Sequence, residues 1–282
     1  MNSVRASHRT LGFHLLRALV IAVYAFLFLP IVAVVILSFG DNISIISFSR
    51  WSLKWYRDLW SNTDIMAALG FSLQVGVAST LTATVIGTAA AFVLVRQRFF
   101  GRNLVRAALF SPIIVPEIII AVALLSFLVL LRVPRGIDSL IIGHTLLILP
   151  YVTSIVSARL YGFDRKLEEA AKNLGAPAWR ALAEITIPLM MPAIVAGALI
   201  GFKVSFDEVV GSLFWSSVKQ QTLPVKVFAM VRYELTPQVN AIGTMMIAIS
   251  LAALATYELA LHRQRLQRAR DSEEAQRADL PA

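Results

Sequence analysis

Long uncharged stretches alternate with short polar segments along this chain of 282 residues. Two stretches, 18–40 and 65–95, contain no Asp, Glu, Lys or Arg. Further apolar stretches cover 107–131, 140–158, 189–206 and 239–257. A helix needs about 20 apolar residues to cross the hydrocarbon core of a bilayer. The pattern therefore predicts an all-α membrane protein with six transmembrane helices.

The polar segments divide the chain into three parts. Residues 1–17 form a basic N-terminal segment, 18–261 hold the six predicted spans, and 262–282 form a basic tail. A cleaved signal peptide is the competing interpretation of the N-terminus, because arginines precede the first apolar run. That run is longer than the roughly 7–15 residues of a signal-peptide apolar region. We therefore expect an uncleaved first helix.

The net charge of +9 follows the distribution expected of membrane loops. With the N-terminus inside, Lys and Arg concentrate in the segments on the cytoplasmic side, at 5–17, 96–106, 159–180 and 263–277. This positive-inside pattern predicts that both termini are cytoplasmic. It also favours contact with anionic lipid and makes a nucleic-acid partner unexpected. A mean hydropathy of +0.72 and 57% hydrophobic residues exclude an ordinary soluble domain.

Two polar segments on the predicted outer side have distinct compositions. Residues 41–64 contain Trp51, Trp55 and Trp60, which are typical of a membrane interface, although a ligand-binding role is the alternative. Residues 213–238 are mixed, and we expect them to return partway into the membrane or to lie along its outer surface. Within them 223–231 should form a short helix, with Pro224 in its first turn.

Four charged residues fall inside the predicted spans or directly after one, where charge is costly and is by default functional. Glu117 follows Pro116, and a proline-interrupted helix leaves backbone groups that neighbours or water must satisfy. Lys203 and Asp207 share one helical face, so they either neutralise each other within a packed interface or line a solute path. Glu208 has no evident partner in this segment and is the better candidate for lining a path.

The loop 159–188 is the sizeable polar segment on the predicted inner side. Asp164 can cap a first helix whose apolar residues recur at helical spacing, namely Leu167, Ala170, Ala171 and Leu174. Glu168 and Lys172 would form an i,i+4 pair on the opposite face. Gly175 stands where a left-handed residue ends a helix.

A second helix should follow that glycine. Pro177 suits its first turn, and Pro188 should stop it after residue 185. The result is a compact helical elbow. It either presents itself to a soluble partner or lies as an amphipathic helix on the membrane surface, and composition alone does not decide between the two.

The elbow carries a motif. This motif resembles the EAA loop of ABC importer permeases. It consists of Glu169-Ala170-Ala171, then Gly175, then residues 185–188, with Ile187 in place of the usual leucine. Segments that resemble the spermidine/putrescine branch of that family are 111–117, 205–210, 223–227 and 237–241.

The resemblance implies a type I ABC importer permease (MetI-like) fold in the bacterial cell inner membrane. The implied partners are an ABC ATPase subunit dimer, a second homologous permease subunit and a periplasmic or extracellular solute-binding protein. The loop 159–188 would be the coupling helix between spans 4 and 5. The residues of this loop that we expect to contact the ATPase subunit are Glu168, Glu169, Ala170, Ala171, Leu174, Gly175 and Ala176.

The resemblance also implies that this chain is a transport subunit and not an enzyme. It has no G-x-x-x-x-G-K-[ST] phosphate loop, so ATP and Mg²⁺ are expected on the partner ATPase and no cofactor on this chain. The four histidines are far apart in sequence and cysteine is absent, which disfavours a metal site.

We therefore expect the permease subunit of a binding-protein-dependent importer, with a polyamine such as spermidine or putrescine as solute. The alternative within the same class is an amino-acid-derived or opine-like solute. Rivals from other classes are an ion-coupled secondary transporter, with Glu117, Asp207 and Glu208 as a relay, and a membrane scaffold that transports nothing.

Overall fold

Helices form nearly all the regular structure of the part of the chain that is described. A computed structural model describes residues 2–41, 46, 48–233, 236–256 and 259. The predicted tail, 262–282, lies outside these residues. In chain order the helices are α1 (Asn2–Ser38), α2 (Lys54–Ser61), α3 (Thr63–Arg96), α4 (Arg102–Ile114), α5 (Glu117–Leu130), α6 (Ile137–Tyr161), α7 (Lys166–Asn173), α8 (Ala178–Ala181), α9 (Ile187–Phe206), α10 (Val210–Trp215), α11 (Leu223–Tyr233) and α12 (Gln238–Thr256).

Five stretches of helix within the described residues are long and apolar enough to cross a membrane. A sixth span results if α4 and α5 are counted together, but these two helices meet at an angle of 116°. The interruption predicted at Pro116 is therefore confirmed, as a break between two helices. Pro116 disfavours helical geometry in Val115, whose backbone is extended, and α5 begins anew at Glu117.

The expectation that Pro188 ends a helix is wrong. α8 continues through a π-helical turn, Leu182–Thr186, into α9, and Pro188 lies in the first turn of α9. The wider π turn breaks the ordinary hydrogen-bond register just before the proline, so the proline's missing N–H removes little. The elbow thus runs into the transmembrane helix without a break.

The chain divides into two compact units, and the first contains Met1–Thr63 and Ala229–Ala248. Its helix α1 is apolar and exposed over residues 16–33. Next to it Gly40 pairs with Trp51 in an isolated antiparallel bridge, and the Ser38 hydroxyl lies 2.7 Å from the Tyr56 hydroxyl. Trp51 and Trp60 remain exposed, consistent with the interfacial role predicted for these aromatics.

The second unit contains Asp64–Phe228 and Ile249–Ala282, and α6 forms its centre. Small residues bring the helices close: Gly87 of α3 and Gly197 of α9 both face Val152 of α6, and Gly201 faces Ile148. Such contacts between small residues are how transmembrane helices pack in the absence of a strong hydrophobic drive. The buried residues there include Ala83, Ala91, Ile148, Val152, Val156, Leu160 and Met190.

A second cluster in this unit surrounds the Trp215 side chain. The indole is fully buried among Val75, Ala121, Leu140 and Leu147, and its Nε1–H donates to the Ala121 carbonyl at 3.0 Å. The segment after α9 therefore packs against the helices of this unit through α10. The predicted short helix starting at Leu223 is confirmed as α11.

Candidate functional site

A cavity of about 530 Å³ lies beside the break between α4 and α5. One wall is the broken segment itself, from Pro112 to Glu117; the opposite wall is the end of α9 and the residues just after it. Leu147 and Tyr151 of α6 contribute the remaining side. The four ionisable residues singled out within the spans, Glu117, Lys203, Asp207 and Glu208, all line this cavity.

Lys203 and Asp207 form the ion pair that their spacing predicts. The Lys203 Nζ lies 3.1 Å from Asp207 Oδ2, with the two side chains 65% and 40% exposed. A pair this open to water gains little stability, so packing alone gives no reason for its presence. Its position on the cavity wall favours the alternative in which it lines a path.

Glu208 is buried and is not without partners, contrary to the sequence-based expectation. Its Oε1 accepts a hydrogen bond from the backbone N–H of Gly211, at the start of α10. Glu117 lines the same cavity from the other wall. The end of α9 and the break before α5 thus bring together two acids that lie far apart in sequence.

A histidine that sequence reasoning set aside holds this corner in place. His144 of α6 is fully buried, with Nδ1 2.6 Å from the Ser205 hydroxyl and Nε2 2.9 Å from the Ser212 hydroxyl. Both imidazole nitrogens are therefore satisfied, and the ring joins the end of α9 to α10. The stretch containing Asp207 and Glu208 lies between those two anchors. A lone histidine in an apolar helix gives no indication of such remote partners.

The segment 159–188 forms the predicted elbow. Asp164 Oδ1 accepts from the Lys166 backbone N–H at 3.0 Å, at the start of α7. Gly175 has a φ of +89° and ends α7 as predicted, with no atom within 4 Å of where a Cβ would stand. Pro177 then precedes α8. This places the two short helices on either side of a small groove of about 280 Å³, lined by Ala171, Leu174, Gly175, Ala176, Arg180, Ala181, Glu184 and Ile185.

The apolar face of α7 points away from the rest of the chain. Leu174 is 90% exposed, and Leu167 and Ala170 are exposed as well, next to the exposed and charged Glu169. Trp179 of α8 adds a large exposed aromatic ring beside them. An exposed cluster of apolar side chains such as this is typical of a surface that a partner covers.

Glu168 lies on the side of α7 that faces the rest of the chain. The predicted pairing of Glu168 with Lys172 on the outer face of the helix is therefore wrong. Its carboxylate takes a two-pronged ion pair from Arg96, with Nη2–Oε1 at 2.6 Å and Nη1–Oε2 at 3.1 Å. It also accepts a hydrogen bond from the buried Thr186 hydroxyl. Burial alone raises the pKa of Glu168, but the bonds from Arg96 and Thr186 outweigh it, so the pKa is lowered and the carboxylate stays ionised.

Among the described residues, no group of three or more His, Cys, Asp or Glu side chains has the arrangement of a metal site. The cavity itself presents two acids, an ion pair and the break between α4 and α5.

Comparison with known proteins places these features in context. Residues 83–265 match the family described as binding-protein-dependent transport system inner membrane component. The chain is 38% identical to the spermidine/putrescine transport system permease protein PotC of Haemophilus influenzae, over 88% of this chain and 96% of that protein. It is 34% identical to the putrescine transport system permease protein PotI of Escherichia coli, over 90% and 93% of the two chains.

Solved structures share the architecture. A permease chain from the crystal structure of a bacterial ABC transporter that imports the acidic polysaccharide alginate superposes with a TM-score of 0.68, at 16% identity. That match covers 92% of this chain and 96% of the other. At this level of identity the likeness concerns the fold, and it confirms the predicted all-α fold of type I ABC importer permeases.

Proposed function

We propose that this chain, which belongs to the family of binding-protein-dependent transport system inner membrane components, is the membrane permease subunit of an ATP-driven polyamine importer. It is a multi-pass membrane protein and a transport subunit, with ATP hydrolysis carried out by separate subunits. The observation that carries the proposal is its 34–38% identity, over nearly the whole length, to permeases named for spermidine and putrescine.

The cavity supplies the chemistry that such a solute needs. A polyamine carries several ammonium groups, which lose hydration when they enter an apolar membrane region. Glu117 and Glu208, which both line the cavity, offer carboxylate oxygens to an arriving ammonium. Asp207 neutralises Lys203, which would otherwise repel a cation. The cavity lining is thus acidic on balance.

The elbow supplies the connection to ATP hydrolysis. We propose that the exposed surface of Glu169, Ala170 and Leu174, together with the half-buried Ala176 and the turn at Gly175, docks onto an ABC ATPase subunit. The groove between α7 and α8 is open to receive side chains of that partner. A second permease subunit would complete the pore, and a solute-binding protein would deliver the solute on the outer side.

In this arrangement transport proceeds by alternating access. Closure of the ATPase dimer moves both coupling elbows, and α9 carries that motion towards the cavity because the elbow runs into α9 without interruption. The cavity then opens outward to accept solute from the binding protein and opens inward after hydrolysis.

The experiment is uptake of labelled putrescine by proteoliposomes that contain the complete complex, with ATP inside and the binding protein outside. We expect uptake that competing spermidine suppresses and that depends on ATP. If 4-aminobutyrate or opines compete while polyamines do not, the solute assignment is wrong. If the isolated chain accumulates solute under a proton or sodium gradient, the protein is a secondary transporter.

A further inference from the structure

We propose that the ion pair between Arg96 and Glu168, with Thr186, is the joint that transmits motion of the elbow to the transmembrane helices. This inference rests on the proposed ATP-driven function. It gives Glu168 a positioning role on the inner side of α7, instead of a contact with the ATPase.

The joint connects three separate elements. Arg96 is the last residue of α3, Glu168 lies in the first turn of α7, and Thr186 is the last residue of the π turn that leads into α9. Arg96 and Thr186 thus bind the same carboxylate from two different helices. A displacement of α7 reaches both helices through Glu168.

The geometry makes this joint stiff. A guanidinium that binds a carboxylate through two nitrogens fixes the relative orientation of the two groups, which a single-point contact does not. The Arg96 guanidinium is further held by aromatic rings, 4.9 Å from the Phe92 centroid and 5.7 Å from the Phe163 centroid. The ion pair is also shielded, with side-chain exposures of 21% for Arg96 and 11% for Glu168, so water competes weakly with it.

One of the two helices that the joint holds, α9, leads to the cavity. α9 runs from the residue after Thr186 to Phe206 and carries Lys203 on the cavity wall. At 1.5 Å per residue, Lys203 lies about 25 Å along the helix from the joint. α3 meets α9 again near that end, where Gly76 faces the Phe202 ring. Two helices that are bound together at one end and packed at the other move as one body.

The test uses the complete complex in proteoliposomes, with putrescine uptake and ATP hydrolysis measured together. The variants are Arg96→Gln, Glu168→Gln and the double variant. The matched control is Arg106→Gln, because Arg106 makes an exposed hydrogen bond from α4 to Tyr161 of α6 at 3.2 Å and is not a member of the joint.

We expect each single variant to assemble with normal basal ATP hydrolysis while uptake per ATP falls about ten-fold, within the usual range of coupling between sites. The double variant should be no worse than either single one, because both residues act through the same pair. The control should keep its uptake per ATP.

Three results would overturn the proposal: unchanged uptake per ATP in the single variants, losses that add in the double variant, or failure of all variants to assemble. The last would mean that the pair only holds the fold. Wild-type complex without putrescine uptake would instead count against the proposed function, which separates the two failures.

Discussion

Lys203 Nζ lies 3.1 Å from Asp207 Oδ2 on the wall of the cavity, one helical turn apart. The pair is open to water, so it contributes little to stability, yet it decides whether the ammonium on this wall is neutralised. Because both groups face the space through which solute would pass, their balance should control which charge can enter.

Removal of Asp207 should therefore reduce polyamine transport. In Asp207→Asn, Lys203 keeps its charge about 5 Å from a passing ammonium, and at an effective dielectric of 20 the repulsion is about 3 kcal/mol. Labelled putrescine uptake should fall by on the order of ten-fold or more. The double variant Lys203→Met/Asp207→Asn should recover most of it, and no recovery would show that Asp207 acts by another route.

Neutralisation of the buried acid should slow transport without altering solute capture. Glu208→Gln retains an oxygen that can accept from the Gly211 N–H but loses the negative charge. We expect slower putrescine uptake in proteoliposomes, with the affinity of the separate binding protein unchanged in a titration. An uptake rate equal to that of the wild type would show that Glu208 does not contribute to the solute path.

The turn of the elbow can be tested with a matched pair of glycines. Gly175 and Gly101 have φ values of +89° and +82°, and at neither site does any atom lie within 4 Å of the place that a Cβ would take. Valine at either site strains the backbone by about 1–2 kcal/mol. Gly175→Val should uncouple ATP hydrolysis from uptake because it redirects α8, whereas Gly101→Val should not. Equal effects on binding-protein-stimulated hydrolysis would contradict the coupling role.

Close packing against the Trp215 ring should limit substitution at Gly143. A Cβ there would lie 2.3 Å from the ring, so the indole must shift and the cost of overpacking is about 1–3 kcal/mol. Gly143→Ala should lower the thermal midpoint of the purified complex, followed by tryptophan fluorescence. Gly70→Ala in α3, which has no atom within 4 Å of the new methyl group, should leave the midpoint unchanged or raise it.

The pH dependence of the joint follows from the lowered pKa of Glu168. A carboxyl whose pKa is lower in the folded protein stabilises it above its ordinary pKa of 4.5 and loses that contribution as the pH falls through the folded value. The gap in thermal midpoint between wild type and Glu168→Gln should therefore stay constant from about pH 8 to 5 and narrow below about pH 4. A gap that closes near neutral pH would contradict an ionised Glu168.

The helices and the elbow were predictable because their signals are local. Uncharged runs of sufficient length specify spans, and a glycine between Leu174 and Pro177 specifies a left-handed turn. The ion pair of Lys203 with Asp207 is equally local, since four residues bring two side chains onto one face.

The contacts that build the site were not predictable, because their partners are remote in sequence. Glu168 pairs with Arg96 rather than with Lys172 on its own helix, and a bidentate guanidinium outcompetes a single ammonium at the carboxylate. The proximity of Glu117 to Glu208 depends on two helix ends whose angles no spacing encodes. The prediction that Pro188 ends a helix was wrong because the π turn before it changes the hydrogen-bond register, which local sequence does not indicate.

The break before α5 also sets the electric field inside the cavity. A helix that begins at the cavity edge directs its unpaired N–H groups and the positive end of its dipole towards the solute, which by itself favours an anion. Glu117 occupies the first turn of α5 and cancels that end. This one carboxylate thus offsets the positive end of α5, so exchange of Glu117 for a neutral residue would make this wall of the cavity more favourable to an anion.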